Sequence, residues 1–229
     1  MKKPLINLSS LSQKYVMALA GMFLMLFLIA HLSTNLLMLR SEIAFNEAVS
    51  FLTTNPVIKI TEYVLFAAFL VHIILGVLLQ LYNYYARPVR YRKPLRTETS
   101  AFSRYMFHTG VIIFIFLVIH LANFFFIRLG ISPIQDVGDI NIADKSKDVY
   151  PFYKMSVELF KNPWYSAIYL VSFVFLGFHL KHGFQSAFQS LGLNHTKYTP
   201  AIKAIGTIYA IAISVGFAII PVYFLFFYG

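Results

Sequence analysis

Apolar residues fall in five long runs, Tyr15–Leu39, Tyr63–Ala86, Tyr105–Ile127, Asn162–Leu180 and Ala204–Gly229, none of which contains Asp, Glu, Lys or Arg. A bilayer core takes about 20 apolar residues of helix to cross, so each run predicts a spanning helix. The fourth is the shortest, but its pattern continues past Lys181 through Phe184, Ala187, Phe188 and Leu191, with the lysine snorkelling towards an interface. The period-two alternation of barrel strands is missing. The expectation is an all-α integral membrane bundle in one domain, 1–229, with helices near 15–39, 59–86, 104–128, 162–190 and 202–228. The long connection, 129–161, carries a candidate amphipathic helix near Tyr153 to Phe160. Trp164, Tyr165, Tyr82, Tyr84 and Tyr85 stand where interfacial aromatics collect. Lys2 and Lys3 precede the first run as in a signal peptide, but a polar segment intervenes and the run is too long for an h-region, so a retained helix is expected.

Composition narrows the classes. Charged residues make up 12% of the chain and hydrophobic ones 59%, whereas about a quarter of a soluble sequence is charged. The net charge of +10 fits loops facing an anionic leaflet rather than nucleic acid, since no basic stripe lies on a soluble fold. With no cysteine, disulfides, iron–sulfur ligation and covalent c-type haem attachment are excluded.

Orientation follows from the basic residues. An inside N-terminus puts Lys2, Lys3, Lys14, Arg87, Arg90, Arg92, Lys93, Arg96, Arg104, Lys181, Lys197 and Lys203 on the cytoplasmic side, with Glu98 the only acid there. The segment Arg87 to Arg104 weighs most, so the N-terminus is expected to be cytoplasmic and the C-terminus external. The connection holding Asp136, Asp139, Asp144 and Asp148 then lies outside.

Four histidines, His31, His72, His120 and His179, lie well inside four different spans, where ionisable side chains are rare and usually functional. His31 is 17 residues past Lys14 and His120 is 16 past Arg104. On parallel helices these two match in depth to within about one rise of 1.5 Å. Each follows a glycine by ten residues, Gly21 and Gly110. His72 and His179 are each followed at i+4 by a glycine, Gly76 and Gly183, one turn along the same face. Their depths match less well: His72 is ten residues past Glu62, while His179 is 18 past Lys161. Two imidazole pairs on same-direction helices suit two stacked bis-histidine b haems, each iron taking a nitrogen from either side of the macrocycle. Zinc or di-iron sites call for carboxylates or closely spaced histidines, and no acid lies in any span.

His182 is three residues past His179 and competes with it; the glycine spacing favours His179. His108, near the start of the third span, is a candidate propionate or quinone contact, as are Arg104, Lys181 and His182. His195 lies in a loop. Arg104 and Lys181 suit propionates by charge, and equally suit the cytoplasmic interface.

The segments GMFLMLFLIAHLSTN (21–35), TGVIIFIFLVIHLANFF (109–125) and FHLKHGFQSAFQSLG (178–192) resemble the five-helix dihaem cytochrome b anchors of succinate dehydrogenases and fumarate reductases, along essentially the whole chain. The third, with Gly183 and Gly192 four and thirteen residues past His179, is the most specific. The resemblance implies two haem b groups, a proximal one on His72 and His179 and a distal one on His31 and His120. It also implies a flavoprotein with covalent FAD and an iron–sulfur protein docked on the cytoplasmic side of a bacterial cytoplasmic membrane. The implied activity is electron transfer between succinate or fumarate and quinone, with menaquinone expected over ubiquinone. Succinate chemistry itself would sit on the partner, leaving no catalytic residue here. Some fumarate reductases of this type carry a glutamate two residues before the fourth-span ligand, associated with proton movement; here that residue is Gly177. Glu42 and Glu47 are candidates for a distal quinone site. Two other readings stay open: a dihaem cytochrome b serving a hydrogenase or other dehydrogenase, and a transporter using membrane histidines.

Overall fold

A computed structural model describes residues 9–85, 105–129, 131 and 151–228. Among them all regular structure is helical: α1 (Ser10–Leu36), a 3-10 turn (Leu37–Leu39), α2 (Glu42–Thr54), α3 (Pro56–Tyr85), α4 (Met106–Asn123), α5 (Phe125–Arg128), α6 (Phe152–Lys161), α7 (Pro163–Ser190) and α8 (Thr199–Phe226). Five segments are long and apolar enough to cross a membrane: Leu11–Leu39, Pro56–Tyr85, Met106–Arg128, Pro163–Ser190 and Thr199–Phe226. The basic segment from Arg87 to Arg104, Lys2, Lys3 and the four loop aspartates lie outside the described residues.

Local chemistry sets where the spans begin. Asn55 Oδ1 accepts from the amides of Val57 and Ile58, and Asn162 Oδ1 accepts from those of Trp164 and Tyr165. In both cases proline takes the first helical position, where a missing N–H costs nothing. The second span therefore starts at Pro56 rather than near 59, and Glu62 lies within it, paired with Arg128 at the end of α5. The fifth starts at Thr199 rather than 202, with proline again in its first turn. Ser9 and Ser41 cap α1 and α2 by accepting from the amides of Ser12 and Ala44.

Close approaches define the topology. Gly21 of α1 abuts His72 and Gly76 of α3 abuts Met17, so these helices are antiparallel. Gly110 against His179 and Gly183 against Met106 show the same for α4 and α7. α7 and α8 are antiparallel, with Gly206 under Phe184 and Gly177 under Ser214. α8 runs alongside α1, whose Leu32 meets Gly216 and whose Met25 carbonyl accepts from the Tyr209 hydroxyl at 2.7 Å. α7 is central, packing on α1, α4, α6 and α8. Small residues at such crossings let backbones approach, the usual source of packing energy in lipid. The opposite faces expose Leu26, Leu70, Ile74, Ile208 and Ile211, as a lipid solvent permits.

The expected amphipathic helix is α6, Phe152–Lys161. It buries Tyr153, Met155, Ser156, Val157 and Phe160 at the end of the bundle where α1 finishes. There Tyr153 meets Phe45 of α2 at 6.2 Å between ring centroids, and Phe224 of α8 at 6.1 Å. Burial, then the hydrogen bond with Tyr228, push the Tyr153 hydroxyl up to about 12, so it stays neutral in this cap.

Candidate functional site

The four span histidines form two facing pairs. The rings of His72 and His179 lie 6.2 Å apart between centroids, at 71°. Those of His31 and His120 lie 5.8 Å apart, at 80°. Two metal–nitrogen bonds of about 2.0–2.1 Å plus ring radii of about 1.1 Å would put the centroids of collinear axial imidazoles roughly 6.3 Å apart. Both pairs match that centroid spacing. Each pair joins one histidine from the α1–α3 half of the bundle to one from the α4–α7 half. Among the described residues no three His, Asp or Glu side chains gather, so the histidines stand as pairs.

The surroundings orient the rings. His72 and His179 turn their Nδ1–Cε1 edges to Gly21 and Gly110: a Cβ there would sit 3.5 Å from His72 Cε1 and 3.6 Å from His179 Cε1. These glycines precede His31 and His120 in sequence, yet they make room for the rings of the other pair. Gly76 and Gly183, one turn from their own histidines, receive the methyl ends of Met17 and Met106, at 3.3 and 3.8 Å from an added Cβ. Thioethers are flexible enough to yield such space. The His31–His120 pair is walled by aromatics: Phe27 stacks on His31 at 5.1 Å, Phe217 lies 5.6 Å from it, and Phe116 and Phe124 lie 5.9 and 5.3 Å from His120.

Hydrogen-bond partners gather at Nδ1. Thr109 Oγ1 is 3.3 Å from His179 Nδ1, Tyr169 Oη is 3.5 Å from His120 Nδ1, and Asn35 Nδ2 is 3.4 Å from His31 Nδ1. His72 Nδ1 is buried with no side-chain partner, towards the backbone of Met17. The hydroxyls of Thr109 and Tyr169 can accept from Nδ1–H and so leave Nε2 of His179 and His120 with its lone pair, whereas Asn35 Nδ2 is itself a donor. Sequence reasoning missed Tyr169 and Thr109, whose contacts span 49 and 70 residues. No local pattern carries such a signal.

The other candidates separate. His182 shares the face of His179 but meets neither His72 nor another span histidine in a ring contact, and is partly buried. His108 is exposed among Tyr105 and Phe107. His195 closes the turn before α8, its Nδ1 accepting from the Lys197 amide. Lys181 is partly buried on α7, and Arg104 lies outside the described residues. Glu42 opens the first turn of α2, and both it and Glu47 are exposed. At Gly177 a Cβ would come 2.8 Å from Ser214 Oγ, a buried hydroxyl without a hydrogen bond, so α8 fills the space a side chain would need.

Together these features define an all-helical, multi-pass membrane subunit with paired imidazoles between its helices. A family model for the succinate dehydrogenase/fumarate reductase transmembrane subunit matches residues 84–219, more than half of the chain, and the chain belongs to that family. It is a membrane anchor of such a complex and serves electron transport. The matched residues include His120 and His179, while His31 and His72 precede them. Comparisons with curated proteins and with solved structures find no match.

Proposed function

We propose that this chain is the five-helix, dihaem form of the anchor. His72 and His179 hold a proximal haem b, and His31 and His120 a distal one. The observation that carries this is the two facing imidazole pairs in a chain of this family. When bound, the haems supply one-electron relays between an iron–sulfur partner and membrane quinone, taken to be menaquinone. The chain's own residues fix the four imidazoles, exclude water with the aromatic walls around His31 and His120, and anchor the assembly in lipid.

The N-terminus is cytoplasmic and the C-terminus external, in a bacterial cytoplasmic membrane, on the weight of the basic segment from Arg87 to Arg104. The iron–sulfur protein and the FAD-bearing flavoprotein dock on that basic side. Succinate or fumarate chemistry belongs to the flavoprotein, and this chain contributes no catalytic acid or base. Ser214 beside Gly177 weighs against the transmembrane proton route that a glutamate at this place serves in some relatives.

The test is haem content. Complex purified with its partners should show a b-type reduced-minus-oxidised α-band and two haems per anchor chain. A fully assembled complex without haem overturns the reading.

A further inference from the structure

The two pairs are not built alike on their two sides. His179 of α7 faces a hydroxyl from α4, Thr109, and His120 of α4 faces a hydroxyl from α7, Tyr169. The two helices exchange supports. Across the pairs, the hydrogen-bond partner of His31 Nδ1 is an amide one turn along its own helix, Asn35 Nδ2, a donor that also bonds the His31 carbonyl at 2.7 Å and cannot accept from Nδ1–H. His72 Nδ1 has no side-chain partner and faces only the backbone of Met17.

Donor counting gives the supports a direction. Thr109 commits its proton to the Met106 carbonyl at 2.9 Å, so it meets His179 with a lone pair and can only accept. Nδ1 of His179 must then carry the proton, and Nε2 its lone pair. Asn123 Nδ2 donates to Tyr169 Oη at 3.2 Å, and Oη lies 3.5 Å from His120 Nδ1 on its other side. The amide's oxygen and nitrogen exchange places by a half-turn. A ligating His120, protonated at Nδ1, donates to Oη, which accepts from Asn123 Nδ2 as well; with the amide turned, Oη–H donates to Asn123 Oδ1 instead. Tyr169 is 2% and Asn123 5% exposed, so water does not compete. The phenol ring is held by Phe116, Phe160 and Phe173 at centroid distances of 5.0, 5.1 and 6.0 Å.

We infer that Tyr169, backed by Asn123, is the positioning residue of the distal haem ligand His120, and Thr109 that of the proximal ligand His179. The two hydroxyls set the tautomers across the α4–α7 contact and make each imidazole a stronger donor to iron. The inference rests on the proposed dihaem function. A stronger donor favours the oxidised iron, so each hydroxyl lowers the potential of its own haem.

The experiment is a redox titration, with low-temperature electron paramagnetic resonance of the ferric haems, on intact complex carrying Tyr169→Phe, Thr109→Val or Thr109→Ser. Phenylalanine keeps the ring packing and removes only the oxygen; valine keeps the shape of threonine. Expected is a crossed pattern: with two haems retained, Tyr169→Phe raises the distal midpoint potential and shifts the distal signal alone. Thr109→Val does the same to the proximal haem, and Thr109→Ser restores wild-type values. Unchanged potentials and signals in both variants at full haem content overturn the inference while leaving the dihaem reading intact. Absence of haem from the wild-type complex overturns the dihaem reading itself.

Discussion

His72 and His179 each lie sixteen residues beyond the proline that opens their helix, Pro56 and Pro163, and their rings face one another at 6.2 Å. The relation extends along both helices. Each starts with an asparagine cap and a proline, and each carries its histidine and a glycine at i+4 in the same register. α1 and α4 correspond likewise through Met17, Gly21 and His31 against Met106, Gly110 and His120, a constant 89 positions apart. The two halves of the site are thus variants of one helical-hairpin pattern, and equal depth of each facing pair follows from it.

Each pair should therefore be lost as a unit. Alanine at His72 or His179 removes one axial nitrogen of one site, so we predict a fall from two haems to one per chain. Alanine at His31 or His120 should remove the other haem. His182→Ala, on the same face of α7 but outside the pair, should keep both. Haem quantified against protein in purified complex reads all five variants.

Much of this was legible in the sequence. Uncharged runs located five spans, and the four histidines inside them are the ones that face one another in pairs, because lipid makes charge and ionisable groups costly within a span. Glu62 does not gauge the depth of His72, because it lies inside α3, paired with Arg128. The caps at Asn55 and Asn162 are the better rulers. Gly21 and Gly110 were visible, but the rings they accommodate sit on neighbouring helices, a relation set by crossing geometry. Tyr169 and Thr109 were invisible for the same reason.

Size at those glycines should tune the proximal site alone. An added methyl at Gly110 meets His179 Cε1 at 3.6 Å, an ordinary contact, so Gly110→Ala should retain both haems. Gly110→Leu must displace the ring, and we predict loss of the haem held by His72 and His179 with the other retained. Absorbance and electron paramagnetic resonance of the remaining haem distinguish the two.

Gly206 tests the α7–α8 crossing. A methyl there would lie 2.7 Å from Phe184 Cδ1 and 3.2 Å from its Cβ, too near the backbone for a rotamer change to relieve. Overpacking of this kind costs about 1–3 kcal/mol, against a helix-propensity gain of about 1 kcal/mol for alanine over glycine. Gly206→Ala should lower stability on balance, read as a lower midpoint in detergent-induced unfolding.

Glu62 and Arg128 pair between α3 and α5 with side chains 32% and 22% exposed, and Arg128 also lies 4.8 Å over the Phe125 ring. Partial exposure limits what the pair contributes. Glu62→Gln should cost about 0.5–1 kcal/mol without changing haem content. A double-mutant cycle with Arg128→Met in the same unfolding assay isolates the coupling.

The central claim is that two imidazole pairs carry electrons between a succinate-oxidising partner and quinone. The most direct measurement is absorbance of the intact membrane complex during anaerobic addition of succinate or fumarate, with haem counted in the same sample. We expect two b-type haems per chain, at least one reduced by succinate or reoxidised by fumarate, with that response lost in His72→Ala. A complex that exchanges electrons between succinate and quinone with no haem, or with haems unresponsive to both substrates, contradicts the account.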